Sequence, residues 1–243
     1  MRRSIAWLAM ALLPVAAAQD GVMIGGDSMM WSVPDHGSSA LAQSVMRSTL
    51  AGRRTAAPTG SSMRGGANRS RVDTRVRYDS TISREVEREF LAGLGRRSGA
   101  AAAERFGAHF RDRPMHGQFA IAADPYGLRK EDLVDVTTAY FTVMWMVANE
   151  APVPAKPQVA GLQRQVRALL EGPRGVPHDM AERQRLAESL MYKLVTMILL
   201  REDAQRTGNT PALRELAAYA QHETGKGFDL KASRLTAQGF VPR

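Results

Sequence analysis

Apolar residues recur at spacings of three and four along most of the chain after residue 80, and the strongest stripe lies between Asp132 and Ala148. Leu133, Val136, Tyr140, Val143, Met144 and Val147 fall on one helical face. Val134, Phe141, Trp145, Met146 and Ala148 widen that stripe until the second half is apolar on nearly all sides, the pattern of a helix in the middle of a bundle. Val136, Thr137 and Thr138 also suit a strand, but a length of about five turns and the acidic entry Glu131–Asp132 favour helix. Asp124, Pro125, Tyr126 and Gly127 make the turn that precedes it, and Asn149, Pro152 and Pro154 end it. Its uninterrupted apolar core, Ala139 to Ala148, is ten residues long. A membrane span takes roughly 20, so the reading is a buried core helix.

Weaker stripes predict the remaining elements. Asp79 or Ser80 caps a helix with Ile82, Val86, Phe90, Leu91 and Leu94 inward, Glu85, Glu87 and Glu89 outward, and a soft end at Gly93, Gly95 and Gly99. A second helix, Ser98 to His109, is capped by Ser98 and presents Ala102, Phe106 and Phe110; a third, Met115 to Ala123, carries Phe119 and Ile121. After the central helix comes Gln158 to Glu171, with Val159, Leu162, Val166, Leu169 and Leu170 on one face. Asp179 caps the longest helix, reaching Arg206, with Leu186, Leu190, Leu194, Val195, Met197, Ile198 and Leu199 inward and Lys193, Glu202 and Asp203 outward. Thr210 followed by Pro211 opens the last helix, to about Gly225, with Leu213, Leu216, Ala217 and Ala220 inward. The tail offers Phe228, Leu230, Leu235 and Phe240 as plugs for the open end of the bundle. The expected fold is all-α: a compact bundle of six to seven helices over residues 78–243, around the central apolar helix.

The first third of the chain reads differently. Residues 1–18 have the layout of a signal peptide: Arg2 and Arg3, an apolar run from Ile5 to Val15, then Ala16, Ala17 and Ala18 before Gln19. Export to the periplasm or the medium is the expectation. The chain has no Cys, so neither a lipid on an N-terminal Cys nor a disulfide is available. Residues 19–77 are rich in Gly, Ser, Ala and Arg and keep no period, as expected of a disordered leader. Within it, Ala40 to Leu50 suits a short helix, and Gly21 to Trp31 is apolar but broken by glycine.

Charge sharpens that picture. Loss of Arg2 and Arg3 takes the formal charge only from +9 to +7. Arg47, Arg53, Arg54, Arg64, Arg69, Arg71, Arg75 and Arg77 stand in a stretch with no Lys and one acid, Asp73. Such a segment is a solvated tether, or it contacts anionic lipid headgroups or lipopolysaccharide. Nucleic acid is disfavoured, because no recognition helix, zinc knuckle or aromatic platform accompanies the arginines.

Candidate chemistry is sparse. The five histidines (His36, His109, His116, His178 and His222) show no HExxH and no spacing of three or four, so no metal is expected. No cofactor cradle appears either, since the Gly pairs at 25–26 and 65–66 lack the Lys or strand context of a phosphate loop. With no Cys and no Gly-x-Ser-x-Gly, and with Ser83, Ser98, Ser189 and Ser233 expected mostly at caps or on helices, no nucleophile is nominated. Glycan hydrolases place two carboxylates across a cleft, and Glu131, Asp132, Asp135 and Glu150 are the acids available around the central helix. Asp132 and Asp135 are one turn apart, although acids at a helix start are also what capping predicts. Tyr126, Tyr140 and Trp145, with Asp132 and Asp135, are the binding candidates. Rings open to solvent would mark a groove, and buried rings a core.

The stretch DPYGLRKEDLVDVTTAYFTVMW, residues 124–145, resembles a bacterial family of exported proteins known as domain of unknown function 6683, with Leu128, Asp135, Ala139, Tyr140 and Trp145 at matching places. The helical segment Val159 to Leu170, the long helix after Asp179 and the ending SRLTAQGFVP at 233–242 support the resemblance, which covers about Tyr78 to Pro242 and leaves the leader outside. It implies export and a helical fold and brings no activity, ligand or catalytic residue. The functional reading is a non-enzymatic exported helical binding or interaction module of the envelope, with an envelope protein as the expected partner. The alternative is a periplasmic hydrolase of glycan or peptide bonds using paired carboxylates; a secreted toxin is a third reading.

Overall fold

The computed structural model describes residues 72–171, 176–224 and 229–243. The expected signal peptide, the leader up to residue 71 with its short helix at 40–50, and Phe228 lie outside the described residues.

Among the described residues seven α-helices form, close to where capping and periodicity place them. Asp79 caps α1 (Ser80–Ser98), its carboxylate accepting from the backbone N–H of Thr81 and Ile82. Ser98 is the last residue of α1 rather than a cap; the break falls at Gly99, whose φ of 84 suits glycine, and α2 runs Ala100–Asp112. Pro114 introduces α3 (Met115–Ala123), followed by a single 3-10 turn, Asp124–Tyr126, that closes on Gly127 at φ 73. Asp132 caps the central helix α4 (Leu133–Ala148). Helix α5 (Lys156–Leu170) starts two residues earlier than the apolar pattern suggests, with Pro157 in its first turn and Gln158 Oε1 accepting from Ala155 N. Asp179 caps α6 (Met180–Arg206). Asn209, not Thr210, caps α7 (Thr210–Glu223), so Pro211 occupies the second helical position.

Helix α4 is the hub. Fourteen of its sixteen residues are buried, all but Trp145 and Met146, which only a helix surrounded by partners can achieve. It packs on α5, α6 and α7, while α1 and α3 reach the core by packing on α6.

Three features depart from the sequence reading. The tail is a β-hairpin: β1 (Ser233–Thr236) pairs antiparallel with β2 (Gly239–Pro242), Leu235 opposite Phe240. Leu230, Leu235 and Phe240 do fill the core as expected, but from strands of four residues, too short for a period of two to stand out. The hairpin lies across α5 at Gly161. A Cβ there would stand against Ala237 O and within 2.6 Å of Gly239 N. Gln158 donates to Leu235 O, Gln165 both donates to Phe240 O and accepts from Phe240 N, and Trp145 Nε1 donates to Ser233 O. These bonds satisfy backbone groups at the outer edges of a two-stranded sheet, which would otherwise be marginal.

The second departure concerns the domain start. Residues 73–77 run as an extended strap over the entry of α4, with Thr74 and Val76 buried and Arg75 and Arg77 exposed in strand alternation. Val76 N donates to Glu131 O and Leu133 N to Thr74 O, each at 2.8 Å. Arg183 donates to the carbonyls of Asp73 and Arg75. The folded unit therefore begins before Tyr78. Of the leader arginines, Arg75 is paired at the surface with Asp73, whose carboxyl that hydrogen bond pulls down to about 2.

Third, Lys193 is not on the outer face of the long helix. It is buried with only 2% of its side chain accessible, in an ion pair with Glu223 of α7. Periodicity alone treats a lysine as outward, whereas a carboxylate on the facing helix makes an inward lysine tolerable.

Gly161→Ala is expected to lower stability by about 1–3 kcal/mol through overpacking against the hairpin, read as a fall in urea midpoint. A chain starting at residue 78 is expected to melt below one starting at residue 72. Loss of Val76 burial alone is worth roughly 1.5–3 kcal/mol, and Arg183 would lose two acceptors. Equal melting temperatures would show that the strap contributes nothing.

Candidate functional site

Two polar clusters flank the entry of α4, one foreseen from the sequence and one not. The foreseen cluster is the acid pair. Asp132 Oδ1 accepts from Val134 N at 2.9 Å, and its Oδ2 lies 3.7 Å from the guanidinium of Arg167 and 3.9 Å from that of Arg129. Asp135 Oδ1 accepts from Gln163 Nε2 at 2.6 Å and Oδ2 from Arg129 N at 3.1 Å, with Arg129 Nε 3.7 Å away. The structure thus brings Asp132 and Asp135 together beneath Arg129. Burial holds the Asp135 carboxyl above its ordinary value, opposed by the hydrogen bonds from Gln163 and Arg129. Glu131 points outward to Lys130, which pulls its carboxyl down, and Glu150 ends α4 exposed, at φ 49.

Every oxygen of Asp132 and Asp135 has a donor or a cation from the protein itself. General acid–base work needs a carboxylate oxygen facing the reacting group. The geometry is that of a clamp that fixes the 3-10 turn and α5 to the start of α4.

The aromatic candidates do not join this pair in a groove. Tyr140 is 2% exposed and lies edge-on to Phe141, a core side chain. Trp145 holds the hairpin through Ser233 O. The Tyr126 hydroxyl donates to Pro154 O at 3.0 Å, and burial raises its pKa. The five residues expected to line a pocket are distributed among a helix clamp, the core and two loop anchors.

The unforeseen cluster centres on Glu188 of α6, which is fully buried. Its Oε1 accepts from Ser83 Oγ of α1 at 2.6 Å and lies 3.0 Å from His116 Nε2 of α3. Its Oε2 has no partner among the described residues. Gln184, one turn earlier on α6, donates to Ser83 Oγ and Asp79 O and accepts from Asp79 N. The ring of Tyr78 lies 4.5 Å from that of His116, and its hydroxyl donates to Lys130 O. Burial, with the charges of Glu188 and Glu131 adding to it, pushes the Tyr78 phenol well up. Ser, His and a carboxylate therefore meet, but Ser83 and His116 share one oxygen of Glu188. The imidazole does not stand between hydroxyl and acid, as nucleophile activation by a relay requires. The cluster joins α1, α3, α6 and the strap.

A sequence signal for this cluster exists in hindsight: Gln184 and Glu188, four apart, interrupt the apolar face of α6. Among the described residues no three of His, Asp and Glu gather as a metal set, and no helix is long and apolar enough to cross a membrane.

Glu188→Ala removes the buried carboxylate that Ser83 and His116 share, and a loss of roughly 1–3 kcal/mol is expected in chemical denaturation. For Asp135 the sign follows from linkage. The native state keeps its proton to higher pH than the unfolded chain, so this group's contribution falls as pH rises through that interval. The stability of the wild type relative to Asp135→Asn is therefore expected to decline as pH rises above the ordinary carboxylate range, about 4, measured by urea melts of both proteins on either side of it. A pH-independent difference would contradict a carboxyl raised by burial.

No curated protein and no solved structure matches the chain. A family model does, over residues 5–243. The match takes in the Arg- and Gly-rich leader as well as the helical domain, wider than the resemblance read from Tyr78 to Pro242. The chain belongs to the family of unknown function DUF6683.

Proposed function

We propose that this protein is a non-enzymatic, exported helical binding module of the bacterial envelope. The observation that carries this reading is the saturation of its best catalytic candidates: Asp132 and Asp135 are taken up by Val134 N, Arg129, Arg167 and Gln163. The Ser83–Glu188–His116 cluster likewise serves to join helices. Export rests on the signal-like residues 1–18.

The test compares capture and turnover. Residues 19–243, and a shorter chain from residue 72 that keeps the strap, are incubated with the envelope fraction of the producing cell and with purified peptidoglycan. Retention of the same specific envelope protein by both chains is expected, with no release of reducing ends or free amines. The double variant Asp132→Asn/Asp135→Asn, checked by thermal melt, is expected to retain that protein as well. Turnover by the wild type that disappears in the double variant would replace this reading with the paired-carboxylate hydrolase.

A further inference from the structure

The link between α4 and α5 is extended, and its own residues make it so. Residues 151–155 lie in no helix, strand or turn and read Ala151, Pro152, Val153, Pro154, Ala155. Each proline ring fixes φ at about −65°, and Ala151 and Val153, each preceding a proline, are steered to extended backbone. Ala155 closes the segment at φ −73 and ψ 150, the dihedrals of a polyproline II helix. One proline is enough to stop α4. The second keeps the chain stretched, over about 15 Å at about 3.1 Å per residue.

Polyproline II has three residues per turn, so every third residue lies on one edge. Exposure along the segment follows that period: Ala151 is half-buried and Pro154 buried, whereas Pro152, Val153 and Ala155 are exposed. The inner edge is tied to the domain at both of its residues. Ala151 N donates to Met146 O, Arg201 donates to Ala151 O at 2.7 Å, and the Tyr126 hydroxyl donates to Pro154 O at 3.0 Å. Ala155 N donates to Gln158 Oε1.

The outer edges are unengaged. Pro152 O and both backbone groups of Val153 make no hydrogen bond among the described residues. The Val153 side chain is 45% exposed; among the described residues only Ile121 of α3 is a more exposed large apolar side chain. Lys156, the first residue of α5, follows with an exposed side chain and no ion pair among the described residues.

We infer that this outward-facing polyproline II segment docks in an aromatic-lined groove of a partner protein that carries a carboxylate at the Lys156 end. The inference rests on the binding reading above and names the chemistry of the partner. Grooves lined by aromatic rings exploit the preformed geometry of such ligands, and Pro152 O and Val153 O are available to a Tyr or Trp donor. The prolines and the bonds to Met146, Arg201 and Tyr126 hold the segment in place, so little backbone freedom is lost on docking. The Lys156 ammonium orients the approach toward an acid.

The experiment purifies the protein retained from the envelope fraction by residues 19–243 and measures its binding to the wild type and to three variants. These are Val153→Asp, Lys156→Glu and, at an exposed position of α1, Ala92→Asp. Thermal melts establish that all three are folded. The retained protein is also titrated with a peptide of residues 150–156, which has no aromatic residue, while its tryptophan and tyrosine emission is followed. A second peptide carries Pro152→Ala and Pro154→Ala. Val153→Asp is expected to weaken binding on the order of tenfold or more, as loss of a buried valine contact does, and Ala92→Asp to leave it unchanged. Lys156→Glu is expected to slow association at low salt, and an unchanged rate would overturn the carboxylate. The first peptide is expected to change the emission at lower concentration than the second. Equal binding by Val153→Asp would overturn the docking segment and leave the binding reading standing. An emission that ignores the first peptide or responds equally to both, or capture of lipid in place of protein, would overturn the aromatic groove. Retention of nothing by the wild type would overturn both readings.

Discussion

Helix α4 is apolar on nearly every side, and a helix of that kind is stable in water only when neighbours cover its whole circumference. Its fourteen buried residues are met by α5, α6 and α7 along its length. The strap covers its first turn, through Thr74 and Val76, and the hairpin reaches its last turns, through Trp145 and Asn149. Neither the strap nor a two-stranded hairpin has a core of its own. Each is ordered because α4 and α5 supply apolar surface to lie on and polar groups that satisfy its edges.

Covering a helix so completely brings polar groups inside, and the structure deals with each by local pairing. Thr138 and Thr142 return their hydroxyls to carbonyls one turn back on α4. Lys193 meets Glu223 between α6 and α7, an arrangement in which removing either partner strands the other charge in the core. Glu188 gathers Ser83 and His116 from two further helices. These pairs specify which helices are neighbours more sharply than apolar contact does, because a slipped helix would leave a buried charge unmatched. The same residues types that elsewhere perform catalysis here fix a register.

The outside follows a different rule. The acids on α1 and at the entries of α4 and α6 are drawn into caps and ion pairs, as with Asp79, Asp132, Asp179 and Glu85. Lys156 and Arg164 of α5 and Arg234 of the hairpin are left exposed.

The helices were legible in the sequence because caps and period are local: Asp79, Asp132 and Asp179 mark three starts, and the apolar set of α4 reads directly as core. Asp132 and Asp135 were also visible as a pair, one turn apart. What they do was not, since Arg167 and Gln163 approach from a helix some thirty residues away in the chain. Tyr140 and Trp145 read equally well as groove or core until packing assigned one to the interior and the other to the hairpin. The Glu188 cluster, the inward turn of Lys193 and the strap arise from partners far apart in sequence, 105 residues in the case of Ser83 and Glu188. The sequence by itself determined the helices, their apolar faces and the charge of the leader, all set by neighbours within a turn or two. Only the tertiary structure decided which polar groups meet, because that depends on which helix faces are brought together once the central helix is covered.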